Sequence, residues 1–315
     1  MAGLSYGLTD IKTFGIAGVK NAMELFSELA KVKITAFVAM STSVGYILYA
    51  ETITWQMLIV TFGVFLMACG SSVINEIQER ERDKLMDRTK GRPIPSGRIS
   101  VQSASVIALL LAAGAGLIIY ISSNITALAL SFLALIWYNA VYTPLKRINA
   151  LAIIPGSLIG AIPPVIGYTA AGGGLFDLQI LSLALFFFIW QIPHFWLLLL
   201  LHSKDYEKAG FPVLTSNFSE SQLGRITFVW IVALAVSSLF IPFYSVNFSI
   251  YSFMAFLLLS IWLIFDTKNI LKTYFYDKGA RVKRVLFKEA FIKVNLFVLV
   301  ITVIISISKL FLTEI

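Results

Sequence analysis

The sequence predicts an all-α polytopic membrane protein, a bundle of nine transmembrane helices. Three observations carry that prediction. The 315 residues are 58% hydrophobic and 13% charged, with mean hydropathy +0.85, whereas a water-soluble domain is about 45–50% apolar and about 25% charged. Apolar runs approaching the ~20 residues needed to cross a bilayer recur nine times. Lys and Arg collect in alternate loops. A soluble enzyme, a secreted disulfide scaffold and a disordered tail are excluded together. The single cysteine, Cys69, sits inside an apolar run and supports neither a disulfide framework nor a cysteine metal cluster.

The first 33 residues mix Lys12, Lys20, Lys31 and Lys33 with scattered apolar positions and show no secretory signal. Ile11, Phe14, Val19, Met23 and Phe26 would form one face of an interfacial helix. That separates an N-terminal interfacial segment, 1–33, from a single transmembrane domain, 34–315. The spans are expected near 34–50, 55–74, 101–121, 125–143, 150–171, 179–201, 223–244, 249–267 and 289–311. They should be helices, because an open chain in lipid must satisfy its own backbone hydrogen bonds.

The loops fix the orientation. Arg80, Arg82, Lys84, Arg88, Lys90, Arg92 and Arg98 follow span two, and Lys146 and Arg147 follow span four. Lys204 and Lys208 follow span six, and a further basic cluster from Lys268 to Lys288 follows span eight. The loops near 51–54, 122–124, 172–178 and 245–248 carry neither Lys nor Arg. The positive-inside rule then places the N-terminus and the even loops in the cytoplasm. The net charge of +8 sorts loops in a bilayer, so no nucleic-acid partner is expected. Acid-containing loops follow spans two and six, four spans apart on one side, which suggests a shared mouth between two halves of a bundle.

The chemistry concentrates between Asn75 and Gly97, in NEIQERERDKLMDRTKGRPIPSG. Asn75, Glu79, Asp83 and Asp87 recur every four residues, which stacks them on one helix face. An amide and three carboxylates make an oxygen-only site suited to Mg²⁺, which binds through one or two carboxylates plus substrate phosphates. Arg82, Arg88, Lys90 and Arg92 would lie beside a diphosphate and offset its charge. The same spacing also fits a solvated helix extension laced with i,i+4 ion pairs.

The series Asn75-x3-Glu79-x3-Asp83, with Met86, Arg88-Thr89, Arg92-Pro93 and Pro95-x-Gly97, resembles the UbiA-type intramembrane prenyltransferases. Three more blocks agree: Leu29-Ala-Lys31-Val-Lys33-Ile-Thr35; Tyr142-Thr-Pro-Leu-Lys146-Arg147 with Gly160-Ala-Ile-Pro163-Pro164-x-Ile-Gly167; and Trp190-Gln-Ile-Pro193-His194-Phe195-Trp196 with Lys204-Asp205-Tyr206-x-x-Ala209-Gly210-x-Pro212. Together they cover roughly residues 29–215. The Pro-His-Phe-Trp block followed by Asp-Tyr points to the haem-farnesylating branch. Glu79 stands where the family has Asp, Val32 where it has Pro, and 148–157 departs from its pattern.

The resemblance implies farnesyl transfer from farnesyl diphosphate to a vinyl group of haem b, giving haem O. Asn75, Glu79 and Asp83 would hold Mg²⁺ with Asp87 outside them, and Asp205 would be a second-metal or diphosphate ligand. Arg82, Arg88, Arg92, Tyr142, Lys146 and Arg147 would bind diphosphate; His194, Trp196, His202 and Tyr206 would bind haem. A bacterial cytoplasmic (inner) membrane, an active site facing the cytoplasm, and contact with downstream haem-modifying or oxidase-assembly proteins are implied by the same resemblance.

Each of these has a plainer structural reading. His194 and His202, eight residues apart, point about 80° apart at ~100° per residue, which disfavours a shared metal site. Either histidine also fits an interfacial hydrogen bond. Asp205 fits an ion pair with Lys204 or Lys208. Trp190, Phe195, Trp196 and Tyr206 fit a membrane-edge belt. Pro155, Pro163 and Pro164 with Gly156, Gly160 and Gly167 would kink and thin span five, for close packing or for a prenyl chain. Two rival functions are a prenyltransferase acting on a quinone-precursor ring and a cation-coupled transporter. The position of the acidic residues at span ends disfavours transport.

Overall fold

Lipid offers no partner for a bare peptide group, and the chain answers with helices alone. The computed structural model describes residues 20–214, 218–245, 248–274 and 280–311. A first helix, α1, covers 20–29. It is followed by α2 (Val32–Ala50), α3 (Trp55–Asp83), α4 (Val101–Ser122) and α5 (Ile125–Ile136). Then come α6 (Leu158–Ala170), α7 (Leu178–Lys208), α8 (Glu220–Tyr244), α9 (Ile250–Thr267) and α10 (Ala280–Phe311). Among the described residues there is no strand, and nine helical segments, built on α2 to α10, are long and apolar enough to cross a membrane. The expected interfacial positions Ile11, Phe14 and Val19 lie outside the described residues; Met23, on α1, is exposed.

Caps set where several helices start. Thr54, Ser100 and Asn124 accept hydrogen bonds from the N–H of Met57, Ser103 and Ala127, satisfying donors that each first turn leaves free. Ser219 and Gln222 form a reciprocal capping box on α8. Two helices outrun their expected ends. α3 continues past residue 74 to Asp83 and α7 past 201 to Lys208. Their polar last turns rise from the apolar layer on the same side of the bundle.

Helix α6 is the thin centre. A Cβ added at Gly45 would collide with the Pro164 carbonyl, and one at Gly167 with the Thr42 carbonyl. Glycine at these two crossings lets α2 and α6 meet backbone to backbone, the small-residue packing that lipid favours. On its other faces α6 packs against α5 and α7, and a Cβ at Gly160 would occupy the place of the Gln191 amide. Pro163 and Pro164 are buried inside the helix. The largest apolar core lies between α2, α6, α7, α8, α9 and α10, around Phe186, Phe256 and Phe297.

Below α5 the helix widens into a π turn over Trp137–Tyr142 before Thr143–Leu145 resumes α geometry. The wider turn shifts the register of the helix face, and Tyr138, Tyr142 and Lys146 all reach one cavity. Two short turns, Ala150–Ala152 and Ile153–Gly156, lead into α6.

Backbone contacts at the α2–α6 crossing cannot be relieved by a change of side-chain rotamer. Gly167→Ala should therefore destabilise the protein by at least the ~1–3 kcal/mol of an overpacked core. Gly114→Ala, where an added Cβ meets nothing within 4 Å, should leave stability near wild type. Thermal unfolding of the two detergent-purified variants checks the contrast.

Candidate functional site

Apolar helices bury charge where an opposite charge meets it, and the loops around the end of α3 bring such charges together. Asn75, Glu79 and Asp83 stack at i,i+4 spacing, each less than 7% exposed. Asn75 Nδ2 donates to Glu79 Oε2 at 3.2 Å and to Thr143 Oγ1 at 3.1 Å, while its Oδ1 accepts from Lys31 Nζ at 3.0 Å. Lys146 Nζ lies 2.8 Å from Glu79 Oε1, and Arg92 Nη1 lies 2.7 Å from Asp83 Oδ2. The other Asp83 oxygen, Oδ1, is buried without a hydrogen-bond partner.

These groups head a cavity of about 320 Å³. Lys31, Arg88, Arg92, Tyr142, Lys146 and Tyr206 surround its polar end, and Val64, Met67, Leu135 and Ile166 line the apolar remainder. Arg88 donates to the Tyr206 hydroxyl at 3.4 Å across the mouth. Tyr142 stacks on Tyr138 at 5.8 Å, with the Lys146 ammonium 5.3 Å from its ring centre. Ala in place of Gly156 would drive a Cβ into that Tyr142 ring, so the glycine makes the space.

Lys31 is the residue the sequence reading left out of the site. It holds a left-handed backbone, φ 51°, at the joint between α1 and α2, a conformation uncommon for a residue with a side chain. The turn sends its ammonium to Asn75, 44 positions along the chain. Burial, with Arg92 and Lys146 nearby, lowers its pKa to about 8 against the opposing pull of Glu79 and Glu76. Tyr138, Thr143 and Gln191 also arrive only through folding. Glu76 is a further buried carboxylate, whose Oε1 accepts the Ile94 N–H at 3.0 Å and pins the basic loop to α3.

Several expected site residues lie elsewhere. The i,i+4 series stops at Asp83 because α3 ends there; Asp87 follows in a turn, exposed and outside the cavity lining. Hydrogen bonds from Lys90 at 2.8 Å and Lys208 at 3.0 Å hold its carboxyl at about 2. Arg82 lies over the Phe211 ring at 4.6 Å, and Arg147 donates to the Gln78 carbonyl at 2.6 Å; neither lines the cavity. Asp205 does not line it either. Trp196 is packed into the core against Trp230 at 6.2 Å, beside Ile192 and Leu223, which removes it from a porphyrin face. His202 sits at a break in α7 (φ −126°, ψ 20°), and His194 pairs with Asn295; neither lines the cavity. The two acid-containing loops do meet: Asp87 bonds Lys208, and Met86 packs on Ala209 and Phe211.

The donor set can be tested against Mg²⁺. No group of three or more His, Cys, Asp or Glu side chains converges to hold a metal among the described residues. Two carboxylates and an amide do share a face, one carboxylate oxygen is unpartnered, and cations neutralise the rest. That fits an ion that arrives with substrate phosphates rather than one held in an all-protein cage.

Residues 35–292 match the UbiA prenyltransferase family. The chain belongs to that family. It is a multi-pass membrane prenyltransferase. A protoheme IX farnesyltransferase of Geobacter sulfurreducens is 42% identical over 180 residues, covering 57% of this chain and 66% of the relative. A protein of the same name from Oleidesulfovibrio alaskensis is 34% identical over 216 residues, covering 69% of this chain and 76% of the relative. Among solved structures, a digeranylgeranylglyceryl phosphate synthase superposes with TM-score 0.71 at 18% identity, covering 91% of this chain and 98% of the other. A UbiA homolog from Archaeoglobus fulgidus bound to GPP and Mg²⁺ gives 0.63 at 14%, covering 90% and 99%. At those identities the superpositions show the fold, which is the UbiA fold.

Asp83 and Asp87 should separate under mutation. Asp83→Asn should lower prenyl-transfer turnover by ~100-fold or more, the scale for removing one charge-stabilising group. Asp87→Asn, which loses two exposed ion pairs, should stay within about threefold of wild type. Turnover measured at saturating and limiting Mg²⁺ decides between them.

Proposed function

We propose that this UbiA-family chain transfers the farnesyl group of farnesyl diphosphate to a vinyl carbon of haem b, giving haem O. The observation that carries the reading is the cavity itself, in which a head of buried carboxylates and cations continues into an apolar channel. That shape suits a diphosphate with a hydrocarbon tail, and relatives at 34–42% identity bear the name protoheme IX farnesyltransferase.

Asn75, Glu79 and Asp83 are the residues that would hold Mg²⁺. When bound, the ion would neutralise charge on the diphosphate. Arg88, Arg92 and Lys146 face the same end and stabilise the charge that builds on the leaving group. Lys146 and Arg92 are held by Glu79 and Asp83 until a diphosphate arrives, so the cations are in place before substrate binds. The allylic C–O bond breaks, and its electron pair leaves with the diphosphate. The vinyl π electrons of haem then form the new C–C bond to the allylic cation. Water adds to the resulting porphyrin-side cation and loses a proton, leaving a hydroxyethylfarnesyl group. Tyr138, Tyr142 and Phe195 line the cavity with aromatic faces that shield and stabilise the carbocation.

The basic loops support a mouth on the cytoplasmic side of a bacterial inner membrane. There the chain would meet its haem supply and the haem-modifying or oxidase-assembly proteins that use the product.

Purified protein given haem b, farnesyl diphosphate and Mg²⁺ should yield haem O by mass analysis. Chelation of Mg²⁺ should abolish the product and re-addition restore it. Prenylation of a hydroxybenzoate in place of haem would overturn the acceptor assignment.

Orientation has its own test. Native Cys69 is buried, so single cysteines report cleanly. Phe176→Cys, at a site 82% exposed, should label only from outside the cell, and Leu85→Cys, at one 57% exposed, only after the inside is opened. The reverse pattern would invert the topology.

A further inference from the structure

A histidine ligates iron through whichever ring nitrogen lacks the proton, and a neighbour decides which one that is. His194 Nδ1 lies 2.7 Å from Asn295 Oδ1 on α10. The amide of Asn295 is itself fixed, since its Nδ2 donates to the Phe291 carbonyl at 2.6 Å. The oxygen facing His194 can only accept, so Nδ1 carries the proton and Nε2 keeps its lone pair. His194 is partly exposed, and among the described residues Nε2 takes no hydrogen bond. The indole N–H of Trp190, whose ring is 5.2 Å from the imidazole, is buried without an acceptor.

The position is adjacent to the chemistry. Gln191, Phe195 and Leu198, at i−3, i+1 and i+4 from His194, all line the cavity, so the imidazole sits on its flank. Phe195 stands edge-on to the His194 ring at 5.3 Å, as a partition between histidine and cavity. At about 320 Å³ the cavity is at the small end of the ~300–1,000 Å³ typical of ligand sites. A prenyl chain with its diphosphate would occupy much of that space, and the tetrapyrrole would then lie on the flanking surface.

We infer that Asn295 is a positioning residue for the acceptor: it locks His194 in the Nδ1–H tautomer and presents Nε2 to the iron of haem b. This rests on the haem-acceptor reading above. It adds a residue on α10, beyond the 35–292 stretch that matches the family. Phe291 holds the amide, the amide holds the imidazole, and the imidazole holds the porphyrin beside Phe195, where a vinyl edge meets the cavity.

The test is a spectral titration of the purified full-length protein with haem b, alongside a farnesyl diphosphate binding measurement. Asn295→Leu removes the acceptor at similar volume and should weaken haem affinity by about 10–100-fold, the usual cost of losing such a partner. Asn295→Asp keeps an acceptor oxygen and should hold the wild-type Soret shift. Farnesyl diphosphate affinity should be unchanged in both. An unaltered Soret shift and affinity in Asn295→Leu would overturn the inference while leaving haem O formation by the wild type intact. Equal loss of haem and diphosphate binding in both variants would also overturn it, as a purely structural role. A wild type that binds no haem and makes no haem O would remove the acceptor reading itself.

Discussion

Three carboxylates, Glu76, Glu79 and Asp83, lie buried toward the end of α3, and that burial sets the demands the surrounding architecture meets. An ionised group taken out of water costs several kcal/mol unless a partner of opposite charge meets it with good geometry. Glu79 and Asp83 are each met, by Lys146 and Arg92. Those cations come from different parts of the chain, one below the π turn that ends α5 and one from the loop after α3. Lys31 adds a third from the joint before α2, through Asn75. Four segments therefore converge on one line of oxygen atoms. The same pairs that make the buried charges tolerable assemble the cations a diphosphate needs, so folding and pre-organisation are one event. The unpartnered oxygen of Asp83 marks where that arrangement is left incomplete.

The thin α6 makes this convergence compatible with a channel. Backbone contact at Gly45 and Gly167 brings α2 against α6 without side chains between them. Gly156 and Gly160 then yield their space to Tyr142 and Gln191, both of which line the cavity. Glycine here serves two opposite ends, close packing on one face and room for larger side chains on the other. The prolines lie in a buried stretch of α6, where Gly45 of α2 meets Pro164 directly.

The spans were legible in the sequence because the bilayer imposes both a length and a composition, and no other environment does so as strictly. The ends of α3 and α7 were not, since a hydropathy window stops where charge begins while the helices run on to Asp83 and Lys208. Two of the three acids in the series were readable for a related reason: i,i+4 spacing implies a shared face only while the helix persists. It persists through Asp83 and fails before Asp87. The π turn left no mark in the pattern, yet it aims Tyr138, Tyr142 and Lys146. Lys31 was visible within a motif but not as a site residue, because its reach to Asn75 is a property of a left-handed backbone joint. Trp196 misled for the opposite reason. Its neighbours in sequence line or flank the cavity, while its own angular position on α7 turns it into the core against Trp230.

The two ends of the bundle use polar groups in opposite ways, and the difference locates function without reference to any motif. At the end away from the mouth, polar side chains tie one helix end to another. Lys309, 1% exposed, reaches Glu51 at 2.7 Å, joining α10 to the α2–α3 connection. Gln56 donates to the Ser122 carbonyl, Asn124 to the Thr169 carbonyl and the Tyr168 hydroxyl to Asp177. Each of these bonds satisfies a helix terminus or a loop, and each joins elements that must not slide. At the mouth, the partners are instead charged groups facing an open cavity, with Asp83 Oδ1 buried and unpaired. A fold needs only the first kind of arrangement to stand in a membrane. Retaining the second, at the expense of burying charge in an apolar bundle, makes physical sense where an anion enters and leaves repeatedly, and the far end supplies the rigidity that keeps those charges in register while it does.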